Sequence, residues 1–209
     1  MRNFQKEGQI EPLGRKGEGL FKLIKSFYKE SDKGKFSELN DLLNLFDWFK
    51  SFDLPPDLFG EENNISVFDR FIYQNSKTID QRSTSEGFLY LLFYFSLLIS
   101  ENTPNFFAIE NVETSLNPKL CTKVTQVIVE LAKKYNKQLI LTTHNPAVLD
   151  GLNLDDPDQK LFVVFRNSEG HTTVKNYSKP VPIRGEKTLK ISESFLRGYL
   201  GGLPNNFSL

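Results

Sequence analysis

"FFAIENVETSLNP", residues 106–118, runs four apolar residues straight into two carboxylates, Glu110 and Glu113, and then into a turn and a proline. This is the pattern of a buried strand that delivers an acidic group to the edge of a sheet. Such an acid can bind a metal, act as a base or cap the next helix, and the stretch by itself leaves all three open.

Reading downstream, "NPKLCTKVTQVIVELAKKY" opens with helix start signals, Asn117 as the cap and Pro118 in the first turn. Leu120, Cys121, Val124, Val127, Ile128 and Leu131 fall on one face of that helix. A second apolar run, "KQLILTTH", follows and ends at His144. Strand, crossover helix and strand at this spacing predict a βαβ unit with parallel neighbouring strands. Functional groups gather at the carboxyl ends of such strands, where Glu110 and His144 both stand. Upstream, "STSEG" at 83–87 precedes the most apolar segment of the chain, "FLYLLFYFSLLI". A helix opening with Ser and Gly presents free N–H groups and a dipole that favour an anion.

Residues 19–79 show apolar positions at helical spacing in "GLFKLIKSFYKE" and "FSELNDLLNLFDWF", separated by a turn-like "SDKGK". Paired prolines make "FDLPPDLFGEENN" a loop. "KLFVVFRNSEGHTTVKNY" reads as a hairpin turning at Asn167 to Gly170, followed by a last helix in "SESFLRGYLGG". The class is α/β with a partly parallel sheet, a helical N-terminal portion (1–81) and a C-terminal hairpin.

The 26 basic and 26 acidic residues cancel, so no overall basic field marks a nucleic-acid surface. One cysteine cannot build an intrachain disulfide framework and fits a reducing compartment. The N-terminus lacks the apolar core of a signal peptide, and the 12-residue apolar run 88–99 is too short to span a bilayer. The expectation is a cytoplasmic protein without a membrane partner.

The ordered set "TSEG…FFAIENVETSLNP…LILTTHNPAVL" resembles the second half of an ABC-type, AAA-annotated ATPase of the SMC/RecF/OLD-like group, whose members include DNA-repair and phage-defence ATPases. The resemblance covers residues 82–207. It implies a P-loop NTPase fold, with ATP and Mg²⁺ as cofactors. Ser85, Glu86 and Gly87 match the signature loop that reaches the γ-phosphate held by an opposing subunit. Glu110 matches the Walker B acid of the Mg²⁺ shell, Glu113 to Asn117 the D-loop stretch, and His144 the switch histidine. Nucleic acid or an effector protein is implied as a further partner.

Two departures qualify the match. No G-x-x-x-x-G-K-[ST] loop occurs; "GRKGEG" at 14–19 is glycine-rich but follows no strand. The implied reading is therefore a single lobe lacking its Walker A half, with a helical portion (1–81) and a motif-bearing core (82–209). That lobe would complete its ATP site with a Walker A-bearing partner or first half. Asn111 stands where the catalytic glutamate of the family would follow Glu110, and an amide can orient a water but cannot take its proton. A non-catalytic lobe acting as an interaction scaffold is the competing reading.

Overall fold

Leu20, Phe21, Leu23, Ile24 and Phe27 recur at helical spacing, and the first helix, α1 (Leu20–Phe27), buries all five. The computed structural model describes residues 19–28, 33–55, 64–72, 78–178 and 189–201. The expectations for residues 14–18, for residues 56–63 of the proline loop and for the tail beyond Gly201 lie outside the described residues. The chain divides into two compact units, Met1–Ile109 with Ile128–Ile140, and Glu110–Val127 with Leu141–Leu209.

In the first unit α2 (Lys33–Leu43) follows α1 and buries Leu39 and Leu43. The chain then leaves the helical state. Strands β1 (Phe49–Asp53), β2 (Ser66–Asp69) and β3 (Ile79–Asp80) form an antiparallel sheet in the order β1-β2-β3. Phe52 faces Val67, Asp53 faces Ser66 and Val67 faces Ile79. Within the helical portion expected over 1–81, residues 49–53, 66–69 and 79–80 are strands instead. Strand β1 carries a register irregularity between Phe49 and Ser51. The extra residue puts Phe49 and Phe52, both buried, on the same face, so Phe49, expected to end a helix, and Phe52, expected to open the proline loop, stand together in one strand. The turn expected at "SDKGK" is likewise helical from Lys33 onward.

Helix α3 (Glu86–Ile99) is buried on nearly every side, including Phe88, Leu91, Leu92, Phe95, Leu98 and Ile99, which is how a central core helix reads. The Phe88 ring lies 5.8 Å from that of Phe46, 5.5 Å from Trp48 and 5.3 Å from Phe49, so the segment before β1 packs on the start of α3. These offset and tilted geometries are the favoured ones for aromatic pairs.

Strands β4 (Phe106–Ile109) and β5 (Gln138–Leu141) pair with each other, joined by α4 (Pro118–Lys134). Gln138 N–H donates to Asn105 O (2.6 Å) at one end and Val112 N–H to Thr142 O (3.2 Å) at the other. The two bonds advance in the same direction along both chains, so the pair is parallel. The strand over 106–109 is less buried than its apolar run suggests: Ile109 is enclosed, whereas Phe106 is 55% and Ile140 53% exposed. The period-2 alternation turns those side chains to the uncovered face. Lys137, buried before β5, donates from Nζ to Thr103 O (2.9 Å), Thr103 Oγ1 (3.1 Å) and Pro104 O (3.3 Å), so an interior ammonium staples the turn that leads into β4. Burial lowers its pKa. At the far end of α4, Lys134 Nζ and the Tyr135 hydroxyl both donate to the Glu38 carboxylate of α2, at 2.8 and 2.6 Å.

In the second unit the first turns of α4 bury Cys121, Val124, Thr125 and Val127. Helix α5 (Pro146–Leu149) packs there so closely that a Cβ on Gly151 would stand 2.5 Å from Thr125 Cβ and 2.6 Å from Thr122 O. Strands β6 (Leu161–Arg166) and β7 (Thr172–Tyr177) form the expected hairpin, with Val164 opposite Val174 and Arg166 opposite Thr172. Asn167 Oδ1 accepts from Glu169 N–H and His171 N–H, while Gly170 takes the positive φ of 82° that the turn requires. Helix α6 (Ile191–Leu196) is tied to Asp150 by the Ser192 N–H (3.0 Å) and hydroxyl (2.7 Å). No helix among the described residues is long and apolar enough to cross a membrane.

Candidate functional site

Glu110 directly follows β4 and is exposed, so its carboxylate stands at the carboxyl end of the strand, as its position after Ile109 implies. Asn111 next takes φ of 50°, a left-handed conformation that Asn tolerates better than most non-glycine residues. Its N–H donates to Thr142 Oγ1 (3.0 Å), and its carbonyl accepts from Thr114 N–H (2.9 Å) and the Thr114 hydroxyl (2.6 Å). Val112 is buried, and Ser115 makes a second left-handed turn at φ 61° before α4 starts. Asn117 caps α4 as its sequence position suggests, its Oδ1 accepting from Leu120 N–H at 2.9 Å.

The loop after β5 lies against this turn. Besides the two contacts to Thr142, His144 N–H donates to Glu113 Oε1 at 3.0 Å. Burial tends to raise the Glu113 pKa. The His144 N–H, the neighbouring Thr143 hydroxyl, its own backbone N–H and the His144 charge together outweigh burial and hold the carboxyl below its usual range. Glu113 Oε2 is buried without a hydrogen-bond partner. Burial, and then the Glu113 carboxylate, push the Cys121 thiol up, so this residue behaves as the buried small hydrophobe its place on α4 suggests.

The structure thus gathers Glu110, Asn111, Glu113 and His144 on two loops hydrogen-bonded to each other. His144 itself is exposed and does not cap α5. That role belongs to Asn145, whose Oδ1 accepts from Ala147 N–H (3.0 Å), while Asn145 Nδ2 reaches Cys121 Sγ at 3.7 Å. Sequence reasoning missed Thr142 and the Glu113 contact. It also passed over Asn145 with Pro146, the same cap-and-proline signature that it used to start α4.

Ser85, Glu86 and Gly87 stand in the first unit. Ser85 is the N-cap of α3, with extended φ and ψ and an Oγ that accepts from Phe88 N–H at 3.3 Å. Ser85 and Glu86 are exposed and Gly87 is buried. Among the described residues no group of three or more His, Cys, Asp and Glu side chains could hold a metal ion alone.

No curated protein sequence matches the chain. Solved structures do resemble it. One SMC ATPase, studied for ATP-driven dimerisation and DNA-stimulated activation, superposes with a TM-score of 0.53 at 15% identity, over 74% of this chain and 89% of that one. The Smc head domain of Pyrococcus yayanosii, with a coiled coil and joint, gives 0.52 at 14% over 74% and 28% of the two chains. The Smc head of Pyrococcus furiosus bound to the C-terminal domain of ScpA gives 0.54 at 16% over 74% and 37%. The chain therefore spans nearly all of the first structure but well under half of the other two. At these identities the likeness is one of fold, a mixed α/β architecture of the SMC ATPase head kind. Residues 3–150 match the family described as "AAA domain, putative AbiEii toxin, Type IV TA system", and the chain belongs to that family of AAA-type ATPase domains.

Proposed function

We propose that this chain contributes the signature, Walker B and switch-histidine elements to an ATP site that a Walker A-bearing partner or first half completes. In this reading the whole chain is one lobe, with the motifs carried by residues 82–209. The N–H groups at Ser85 and Gly87 meet the γ-phosphate, with Glu86 part of the same loop. Glu110 joins the Mg²⁺ shell, Asn111 orients the attacking water, and His144 senses the γ-phosphate. The observation that carries the reading is the hydrogen-bonded pairing of the two loops that leave parallel strands β4 and β5 at their carboxyl ends. Ligands of open α/β sheets bind at that edge.

The donor set fits Mg²⁺ of a particular kind. Mg²⁺ favours oxygen ligands and is often held by one or two carboxylates, with substrate phosphates and waters supplying the rest. Glu110 offers one exposed carboxylate at the strand end. The ion neutralises phosphate charge when bound. The chain's own share is to supply that oxygen and to hold Asn111 and His144 beside it.

Cytoplasmic DNA repair or phage defence is the setting we propose. The family description, which names a Type IV TA system, supports the second. The similar SMC ATPase studied for DNA-stimulated activation supports nucleic acid as a partner, with an effector protein as the other option. The test is calorimetry with ATP and Mg²⁺ on the chain alone and with a Walker A-bearing chain, alongside the double variant E110Q/H144A. ATP-dependent association that the double variant loses supports the reading. Millimolar ATP binding by the chain alone would overturn the need for a partner.

One observation favours a non-catalytic scaffold. Asn111 occupies the position of the family's base, and its side-chain amide cannot take a proton from water. Association that persists unchanged in E110Q/H144A would select that reading.

A further inference from the structure

Glu113 has no part in the ATPase reading beyond lying in the D-loop stretch, yet it makes the contact nearest to His144. We propose that Glu113 is a positioning residue that sets where the His144 loop stands, by accepting the His144 backbone N–H on its carboxylate.

Glu113 reaches from the turn after β4 to the loop after β5, a sequence distance of 31 residues, with Oε1 3.0 Å from His144 N. A carboxylate accepting a backbone N–H makes a charge-assisted bond, roughly twice as strong as a neutral one. The contact sits beside the Asn111 N–H to Thr142 Oγ1 and Val112 N–H to Thr142 O bonds, so three successive links hold the two loops together. The first two bear on Thr142, two residues before His144, and of these three links it is the Glu113 bond that reaches the histidine's own backbone. The turn is shaped to deliver that carboxylate. Asn111 in its left-handed conformation reverses the chain, Val112 is buried as an anchor, and Leu116 N–H returns to Glu113 O at 3.0 Å. His144 is thereby tied to the same turn that begins with Glu110. A shift of the carboxylate-bearing loop is passed to the loop that bears His144. The role of His144 rests on the ATPase reading, whereas the tie itself does not.

The test uses the full chain without nucleotide, so its failure is separable from a failure to bind ATP. The chain contains two histidines, so ¹⁵N-histidine labelling yields two backbone amide signals, with His171 in the β6–β7 turn as the internal control. In E113A the His144 amide should move upfield and exchange with solvent about tenfold faster, while His171 is unaffected. E113Q, which keeps a carbonyl acceptor, should restore most of the protection. A second readout covers the case in which E113A does not fold. In the wild type the His144 amide shift should titrate in acid with a midpoint below about 4.3, the ordinary glutamate value, and E113Q should abolish that titration. Besides Glu113, His144 itself and Cys121 of α4 are the titratable groups coupled to this contact. An His144 amide with unchanged shift and exchange in E113A, or one without an acid titration in the wild type, overturns the proposal. A tie that holds while H144A leaves ATP-dependent association intact would instead remove the sensor role of His144.

Discussion

The backbone N–H of Asn111 donates to the hydroxyl of Thr142 at 3.0 Å, so the turn that follows one parallel strand is latched to the end of its neighbour. Replacing Thr142 by Val keeps the shape and removes the acceptor. T142V should lose about 0.5–1.5 kcal/mol of stability, toward the low end because the bond is exposed. T142S should recover most of it. Urea denaturation of the two variants checks this, and equal midpoints for T142V and wild type would show that the latch contributes nothing.

Asn111 holds φ at 50°, where a longer side chain without the Asn preference is disfavoured. N111E should therefore cost about 1 kcal/mol in denaturant stability. It also installs a base where the family resemblance expects one. With a Walker A-bearing partner present, N111E should raise ATP turnover over wild type. No gain in turnover would mean that more than a missing base limits hydrolysis.

Gly151 is required for a spatial reason. An added Cβ would meet Thr125 Cβ at 2.5 Å and the Thr122 carbonyl at 2.6 Å, and a helix carbonyl cannot swing aside as a side-chain end can. G151A should destabilise by about 1–3 kcal/mol through overpacking. Pairing it with T125G, which removes the clashing Cβ but leaves the carbonyl, should recover only part when measured against T125G alone. Full recovery in the double variant would show that the Thr122 carbonyl does not restrict the site.

Glu113 predicts an acid limb in stability. Its folded pKa lies below the unfolded one, so the ionised form is favoured in the fold. That contribution is complete above the unfolded value of about 4.3 and is lost as pH falls through the lower folded value. The urea midpoint should decline over that window in wild type and decline less in E113Q. Identical pH profiles would refute a stabilising Glu113 carboxylate.

Local patterns carried much of this protein. The run 106–109 and the run 138–141 are strands, Asn117 with Pro118 starts the intervening helix, and Asn167 to Gly170 turns the C-terminal hairpin. These are short-range consequences of side-chain alternation, capping chemistry and φ preference, and each is legible over a few residues. The order of Ser85, Glu110 and His144 is legible as well, and it points to the kind of ATPase domain that residues 3–150 match.

What the sequence concealed depends on pairing. Phe49 ends a helical pattern and Phe52 opens the proline loop in the sequence, yet both lie in one strand whose irregular register, defined only by the partner strand, turns them to the core. Phe106 and Ile140 look buried in an apolar run, yet their exposure depends on which sheet face other elements cover. The tie between Glu113 and His144 joins residues 31 apart, and only the parallel pairing of β4 with β5 brings their loops together. Which acidic, amide and imidazole groups follow the strand ends is legible in the sequence, because that depends on residue type and local order. The tertiary structure alone decided which of them touch, because contact between distant residues follows from strand pairing and packing.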